Sequence, residues 1–274
     1  MNQSITVSAF YKFTPLPHYL DMRESVKRAM LRRGIKGTIT LAPEGINATV
    51  SGEHDALFDL LDELQRKPEI GTFIHKESYV SNQPFQRTKV KVKKELISLG
   101  KPVDPTVCVG TYLDAEGWNA LISQPDVVTI DTRNDYEFRI GHFRGAVNPG
   151  TRDFKEMVAF TKTHLDPKQN KRVAMYCTGG IRCEKYSSYL MQEGFAEVYH
   201  LRGGILQYLE DMPQERSLWE GKCFVFDERV AVNHDLSKAE DIIMCMGCGG
   251  PLMTHDLEHK SYVENISCGY CKAL

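Results

Sequence analysis

Along the first hundred residues the spacing of apolar side chains switches repeatedly between two periods. Ile5, Val7, Ala9 and Tyr11 alternate with polar neighbours. Side chains of an extended chain fall on opposite faces in turn, so this predicts a strand. After Pro15 and Pro17 the pattern becomes helical from about His18 to Arg33, and Gly34 ends it. Residues 34–52, GIKGTITLAPEGINATVSG, predict two strands separated by a turn at Pro43-Glu44-Gly45. Leu57, Leu60, Leu61 and Leu64 share one face of a second helix, from about His54 to Lys67, and Phe73 to Val80 predicts another strand. The order β-α-β-β-α-β over residues 1–100 is that of a ferredoxin-like α+β domain.

Lys101-Pro102-Val103-Asp104-Pro105 carries two prolines and no periodicity, as a linker does. Beyond it the pattern becomes α/β. Val127–Ile130, Val173–Tyr176 and Ala196–Leu201 are continuous apolar runs of the buried, parallel type. Helices are predicted at residues 115–123, 135–140, 153–163, 183–193 and 205–210. Residues 104–218 therefore form one α/β domain. Residues 219–274 change character again, with a strand-like GKCFVFDERVAV followed by a Cys-rich extension.

The end of the first domain has a different alternation. Arg87, Lys89, Lys91 and Lys93 recur at every second position, with Val90 and Val92 between them. On a strand this makes a basic row, suited either to discouraging edge-to-edge association or to tracking a phosphate backbone. The chain has 274 residues and a formal net charge of −2, so any nucleic-acid surface must be a local patch of this kind. No apolar run is long enough to span a bilayer, and the N-terminal stretch has no signal-peptide pattern. Eight cysteines in such a chain point to reduced thiols and a cytoplasmic protein.

Two cysteine groups carry candidate chemistry. In RVAMYCTGGIRCEKYSSYLMQEGF, residues 172–195, an apolar strand runs into a loop, Cys177, Thr178, Gly179, Gly180, Ile181 and Arg182, and then into an amphipathic helix. Backbone amides at such a strand–loop–helix junction favour an anion, and so favour a thiolate at Cys177. Arg182 adds a fixed cation. Cys183 is either a resolving thiol or a small core residue carried away by the helix, and the second is preferred. Cys245-x2-Cys248 and Cys268-x2-Cys271 have the spacing of a four-cysteine zinc ribbon. A filled site of that kind is structural and leaves His255 and His259 surplus. Cys108 and Cys223 are expected in the core, as are Tyr112, Trp118, Phe143 and Tyr176. Asp131 and Arg133 are expected to brace a strand end, with shaping of the pocket an equal alternative, and His142 to belong to a turn.

The loop CTGGIR, with VVTIDTRNDYEFRIGHFRGAVNPG upstream and YHLRGGILQYL downstream, resembles a rhodanese domain. Only four residues separate Cys177 from Arg182, one fewer than in cysteine phosphatases of the same fold, and the tighter ring suits a persulfide sulfur better than a phosphate. The whole layout, a ferredoxin-like domain, one rhodanese unit, FVFDERV and the paired CxxC tail, is similar to the bacterial rhodanese-domain tRNA uridine hydroxylases. That resemblance implies formation of 5-hydroxyuridine at the tRNA wobble position, molecular oxygen as co-substrate and Cys177 as the catalytic residue. The basic row fits a tRNA partner. No dinucleotide fingerprint or facial triad of two histidines and a carboxylate marks a flavin, nicotinamide or iron site. Two other functions stay open: a sulfurtransferase carrying persulfide sulfur on Cys177, and a non-catalytic RNA-binding module.

Overall fold

The structure is a computed structural model and describes residues 5–271. The chain divides into two compact units, one ending at Val109 and one beginning at Gly110.

The first unit contains β1 (Ile5–Phe13), α1 (Tyr19–Arg32), β2 (Lys36–Ala42), β3 (Gly45–Gly52), α2 (His54–Gln65), β4 (His75–Val80) and β5 (Thr88–Val92). Its sheet has the order β4-β1-β3-β2-β5. The first four strands form the antiparallel ferredoxin-like sheet, and β5 is added parallel to β2 at the edge. Met22, Val26 and Met30 of α1 join Leu57, Leu60, Leu61 and Leu64 of α2 over Ile39, Leu41, Ile46 and Val50 of the sheet. The strand predicted from Ile5 is present, but the β1 side chain in this core is Phe10. Ile5, Ala9 and Tyr11 are half-buried, because the covered face also takes the small polar Thr6 and Ser8.

The basic row is longer than the strand that carries it. Lys89 and Lys91 lie in β5, exposed, with Val90 turned into the core. Arg87 and Lys93 flank it, also exposed. The ladder continues at both ends, since the Arg87 carbonyl accepts from the Gly37 amide at 2.9 Å and the Lys93 amide donates to the Leu41 carbonyl at 3.0 Å.

The second unit opens with β6 (Thr111–Leu113), α3 (Ala115–Ile122), β7 (Val127–Asp131), α4 (Asp135–Ile140), β8 (Gly141–Phe143), α5 (Met157–His164) and β9 (Arg172–Tyr176). It continues with α6 (Ile181–Gln192), β10 (Glu197–Leu201) and α7 (Gly204–Asp211). The parallel sheet has the order β6-β10-β9-β7, which makes β9 an interior strand with Cys177 at its carboxyl end. A short 3-10 turn, Phe154–Glu156, precedes α5 where a single helix was predicted. Trp118, Phe143, Tyr176, Tyr208 and Trp219 form an aromatic cluster beneath the site, with Phe143 edge-on to the other four rings.

The C-terminal extension packs into this unit. It contains β11 (Trp219–Gly221), β12 (Cys223–Phe224), β13 (Ala231–Val232), β14 (Ile242–Met244) and β15 (Pro251–Met253). β11 pairs with β8, and Phe224, Val230 and Ile242 pack on Ile140 at the end of α4. The Arg139 guanidinium sits 3.6 Å above the Tyr270 ring. Among the described residues, no helix is long and apolar enough to cross a membrane.

Candidate active site

β9 delivers Cys177 to a turn that reverses at Gly180, whose φ of 100° is left-handed and suited to glycine. The helix after it begins at Ile181, two residues earlier than the sequence pattern suggested, so Arg182 and Cys183 lie in its first turn. The loop's amides and carbonyls point in opposite directions. The Gly180 amide donates to the Cys177 sulfur at 3.1 Å, joined by the amides of Cys183 and Arg182. The carbonyls of Cys177 and Thr178 instead accept from Ile205 and Leu206, at 2.9 and 3.1 Å, in the first turn of α7. A side chain at Gly204 would place its Cβ 2.5 Å from the Cys177 carbonyl oxygen, so the second glycine of Leu201-Arg202-Gly203-Gly204 is required by close approach.

Cys177 is 1% exposed, and burial by itself disfavours its thiolate. The Cys183 hydrogen bond, the Arg182 guanidinium and the backbone amides of Cys183 and Arg182 outweigh that penalty and bring its pKa down to about 6. Cys183 moves the other way: burial, and then the bond to Cys177, push its thiol well above the usual range. Of the two sulfurs, Cys177 is the one favoured as the thiolate. Cys183 is fully buried in the first turn of α6, as the preferred reading has it, and lies close enough to Cys177 to affect its ionisation. Its sulfur also lies 3.6 Å from the Thr132 hydroxyl.

Arg182 does not extend into solvent. Its guanidinium donates twice, at 2.8 Å each, to the Glu137 carboxylate, and both side chains are buried. Burial opposes the Glu137 charge, yet Arg182 holds its carboxyl below the ordinary range. Glu137 also accepts from the Asn134 amide at 3.0 Å and from the Thr178 hydroxyl at 3.4 Å. Sequence reasoning missed this residue. Its signal was Asn134-x-x-Glu137, the pattern of a helix N-terminus, but that pattern does not reveal a partner 45 positions away.

Asp131 and Arg133 form a fully buried ion pair at 2.6 Å, and Arg133 also donates to the Gly141 carbonyl. They brace the end of β7. His142 stacks on Phe138 at 4.1 Å and belongs to that turn. Trp118, Phe143, Tyr176 and Cys223 are buried, whereas Cys108 is half-buried. Tyr112 also departs from expectation: it is 37% exposed and donates to Glu184 at the sheet edge.

The four tail cysteines converge. The sulfurs of Cys245, Cys248, Cys268 and Cys271 all lie within 4.8 Å of one another, with separations of 3.6 Å for Cys245–Cys271 and 3.7 Å for Cys248–Cys268 and Cys268–Cys271. A tetrahedral zinc site with four thiolates has edges of about 3.8 Å, so the group fits that metal. His255 and His259 are exposed and outside it.

Comparison with known proteins matches residues 5–96 to the UPF0176 acylphosphatase-like domain and residues 114–211 to the rhodanese-like domain. Among solved structures, the rhodanese-like domain of an Anabaena protein is 19% identical, covering 41% of this chain and 80% of its own, with a TM-score of 0.35. An acylphosphatase from Coxiella burnetii is 13% identical, covering 32% of this chain and 94% of its own, with a TM-score of 0.27. A protein of Teredinibacter turnerae named tRNA uridine(34) hydroxylase is 50% identical over 266 residues, which is 97% of this chain and 83% of that protein. On that identity and span, the chain belongs to the tRNA uridine(34) hydroxylase family.

Proposed function

We propose that this protein hydroxylates uridine 34 of tRNA to 5-hydroxyuridine, with Cys177 as its catalytic nucleophile. The observation that carries this reading is a buried thiol held as a thiolate near neutral pH, at the end of an interior strand, in a chain of this family. A thiolate adding to C6 of uracil saturates the C5–C6 bond and leaves C5 electron-rich towards an oxidant. Molecular oxygen is the co-substrate in this scheme: one oxygen atom bonds to C5, the other leaves as water with two electrons from an external reductant such as a thiol, and loss of the C5 proton then expels the thiolate from C6. Arg182 stabilises the thiolate, and Glu137 fixes Arg182 in place. The exposed cations at Arg87, Lys89, Lys91 and Lys93 take the RNA backbone, and the four tail cysteines hold a structural zinc.

The test is nucleoside mass spectrometry of tRNA from a strain lacking the protein, complemented with wild type, Cys177→Ala or Cys177→Ser. The expected result is that 5-hydroxyuridine and its derivatives disappear and only wild type restores them. Full hydroxylation by Cys177→Ser would sink the nucleophile role. A sulfurtransferase is the second reading, favoured by the close convergence of amides on one sulfur atom. It predicts that thiolated uridines fall instead.

A further inference from the structure

The Cys177 loop has an aromatic neighbour that comes from outside the rhodanese-like span of residues 114–211. Phe226 lies in the turn between β12 and β13. Its ring centre is 5.8 Å from the Arg182 guanidinium carbon, and it is 57% exposed. No other phenylalanine or tryptophan of the second unit is exposed among the described residues.

Isolated exposed apolar side chains are common and need no explanation. Two further observations separate Phe226 from that background. First, its turn is built to hold one conformation. Asp227, 7% exposed, accepts from the Arg229 guanidinium at 2.6 and 2.9 Å and from the Arg229 amide at 3.0 Å. The Val225 amide donates to the Val230 carbonyl and the Val230 amide to the Asp227 carbonyl. Val230 has a φ of 64°, a left-handed conformation that a β-branched residue rarely adopts and that persists only where its surroundings enforce it. Second, the ring is propped from beneath. Phe224, buried against Ile140 and Tyr136, meets Phe226 edge-on at 5.1 Å with an 86° angle between the rings. A hydrogen-bonded, strained turn therefore holds a half-exposed aromatic ring against the guanidinium that stabilises the Cys177 thiolate.

We infer that Phe226 is the stacking platform that seats the uracil ring of the target nucleotide at the Cys177 loop. The inference rests on the hydroxylase reading and deepens it. A cup of amides around one sulfur has no means of recognising a flat base, and a stacked aromatic ring supplies one, because every base offers a π-face. Phe226 is a positioning residue: it orients the ring so that C6 faces the sulfur, and takes no part in bond making.

The test uses the full-length protein with an anticodon stem-loop RNA carrying uridine 34. Phe226→Ala is expected to lower hydroxylation kcat/KM by about tenfold or more, as loss of one base–aromatic stack does. Phe226→Tyr and Phe226→Trp should restore most of it. Iodoacetamide alkylation of Cys177 should keep its wild-type pH profile in all three variants, which separates a lost platform from a damaged loop. The fluorescence of Phe226→Trp, read against the wild-type background of Trp118 and Trp219, should be quenched by the stem-loop. Quenching should be much weaker with an RNA abasic at position 34. If wild type hydroxylates the RNA and Phe226→Ala does so equally well, the platform is overturned and the hydroxylase reading stands. Equal quenching by the abasic RNA overturns it too. If wild type hydroxylates no tRNA, both fall together.

Discussion

At the scale of single residues, the site depends on a division of labour between two thiols that the chain places six positions apart. Cys177 is an anion because Cys183, Arg182 and the α6 amides together exceed the cost of burying it. Its thiolate is populated above the midpoint near pH 6, so alkylation by iodoacetamide should lose rate as pH falls through about 6. Cys183→Ala removes a donor and should move that midpoint upward, towards the ordinary thiol range. Cys183→Ser keeps a donor and should move it less. An unchanged profile in Cys183→Ala would show that the amides and Arg182 suffice. The place of Cys177 in an amide-lined loop was legible in the sequence, because a cysteine followed by Gly179-Gly180 and an arginine announces an anion loop. The role of Cys183 was not. It turns on where α6 begins, and a shift of two residues turns a helical side chain to another face of the helix.

At the scale of elements, strong periodicity gave reliable strands and helices, and its weak points were short or flanking segments. α4 was legible to the residue, since Asn134 and Glu137 mark its start and Gly141 its end. β6 was not anticipated, because three residues carry no period and are stabilised by pairing with β10. For β5 the alternation of lysine and valine was informative, but only the sheet order shows that it is an edge strand parallel to β2. Its exposed cations give a prediction at this scale. Replacing Lys89 and Lys91 together by Gln should weaken tRNA binding and reduce the slope of log affinity against log salt by about 0.7–0.9 for each phosphate that the protein no longer neutralises. Filter binding across a salt series measures it. An unchanged slope would leave these lysines as guards against edge-to-edge pairing.

At the scale of the whole molecule, the C-terminal extension is joined to the Cys177 loop through α4. The outer end of α4 carries Ile140, packed on Phe224 and Ile242, and Arg139, stacked on Tyr270 beside the cysteine cluster. One turn away on the same helix, Glu137 holds Arg182. Purified protein is expected to carry one zinc per chain by elemental analysis, and Cys245→Ser with Cys268→Ser should abolish it. Loss of the metal should also raise KM for tRNA several-fold and speed proteolysis of residues 242–271. Normal kinetics in a zinc-free variant would show that the tail acts independently of the loop. The sequence alone determined the ferredoxin-like and rhodanese-like folds, the thiolate loop and the metal-type spacing, because periodicity and short motifs are local and are written in consecutive residues. The Glu137–Arg182 pair, the approach of Cys183 to Cys177 and the placement of Phe226 beside the loop were decided only by the tertiary structure. Each joins residues whose proximity depends on how strands order and helices pack, and no local pattern encodes that.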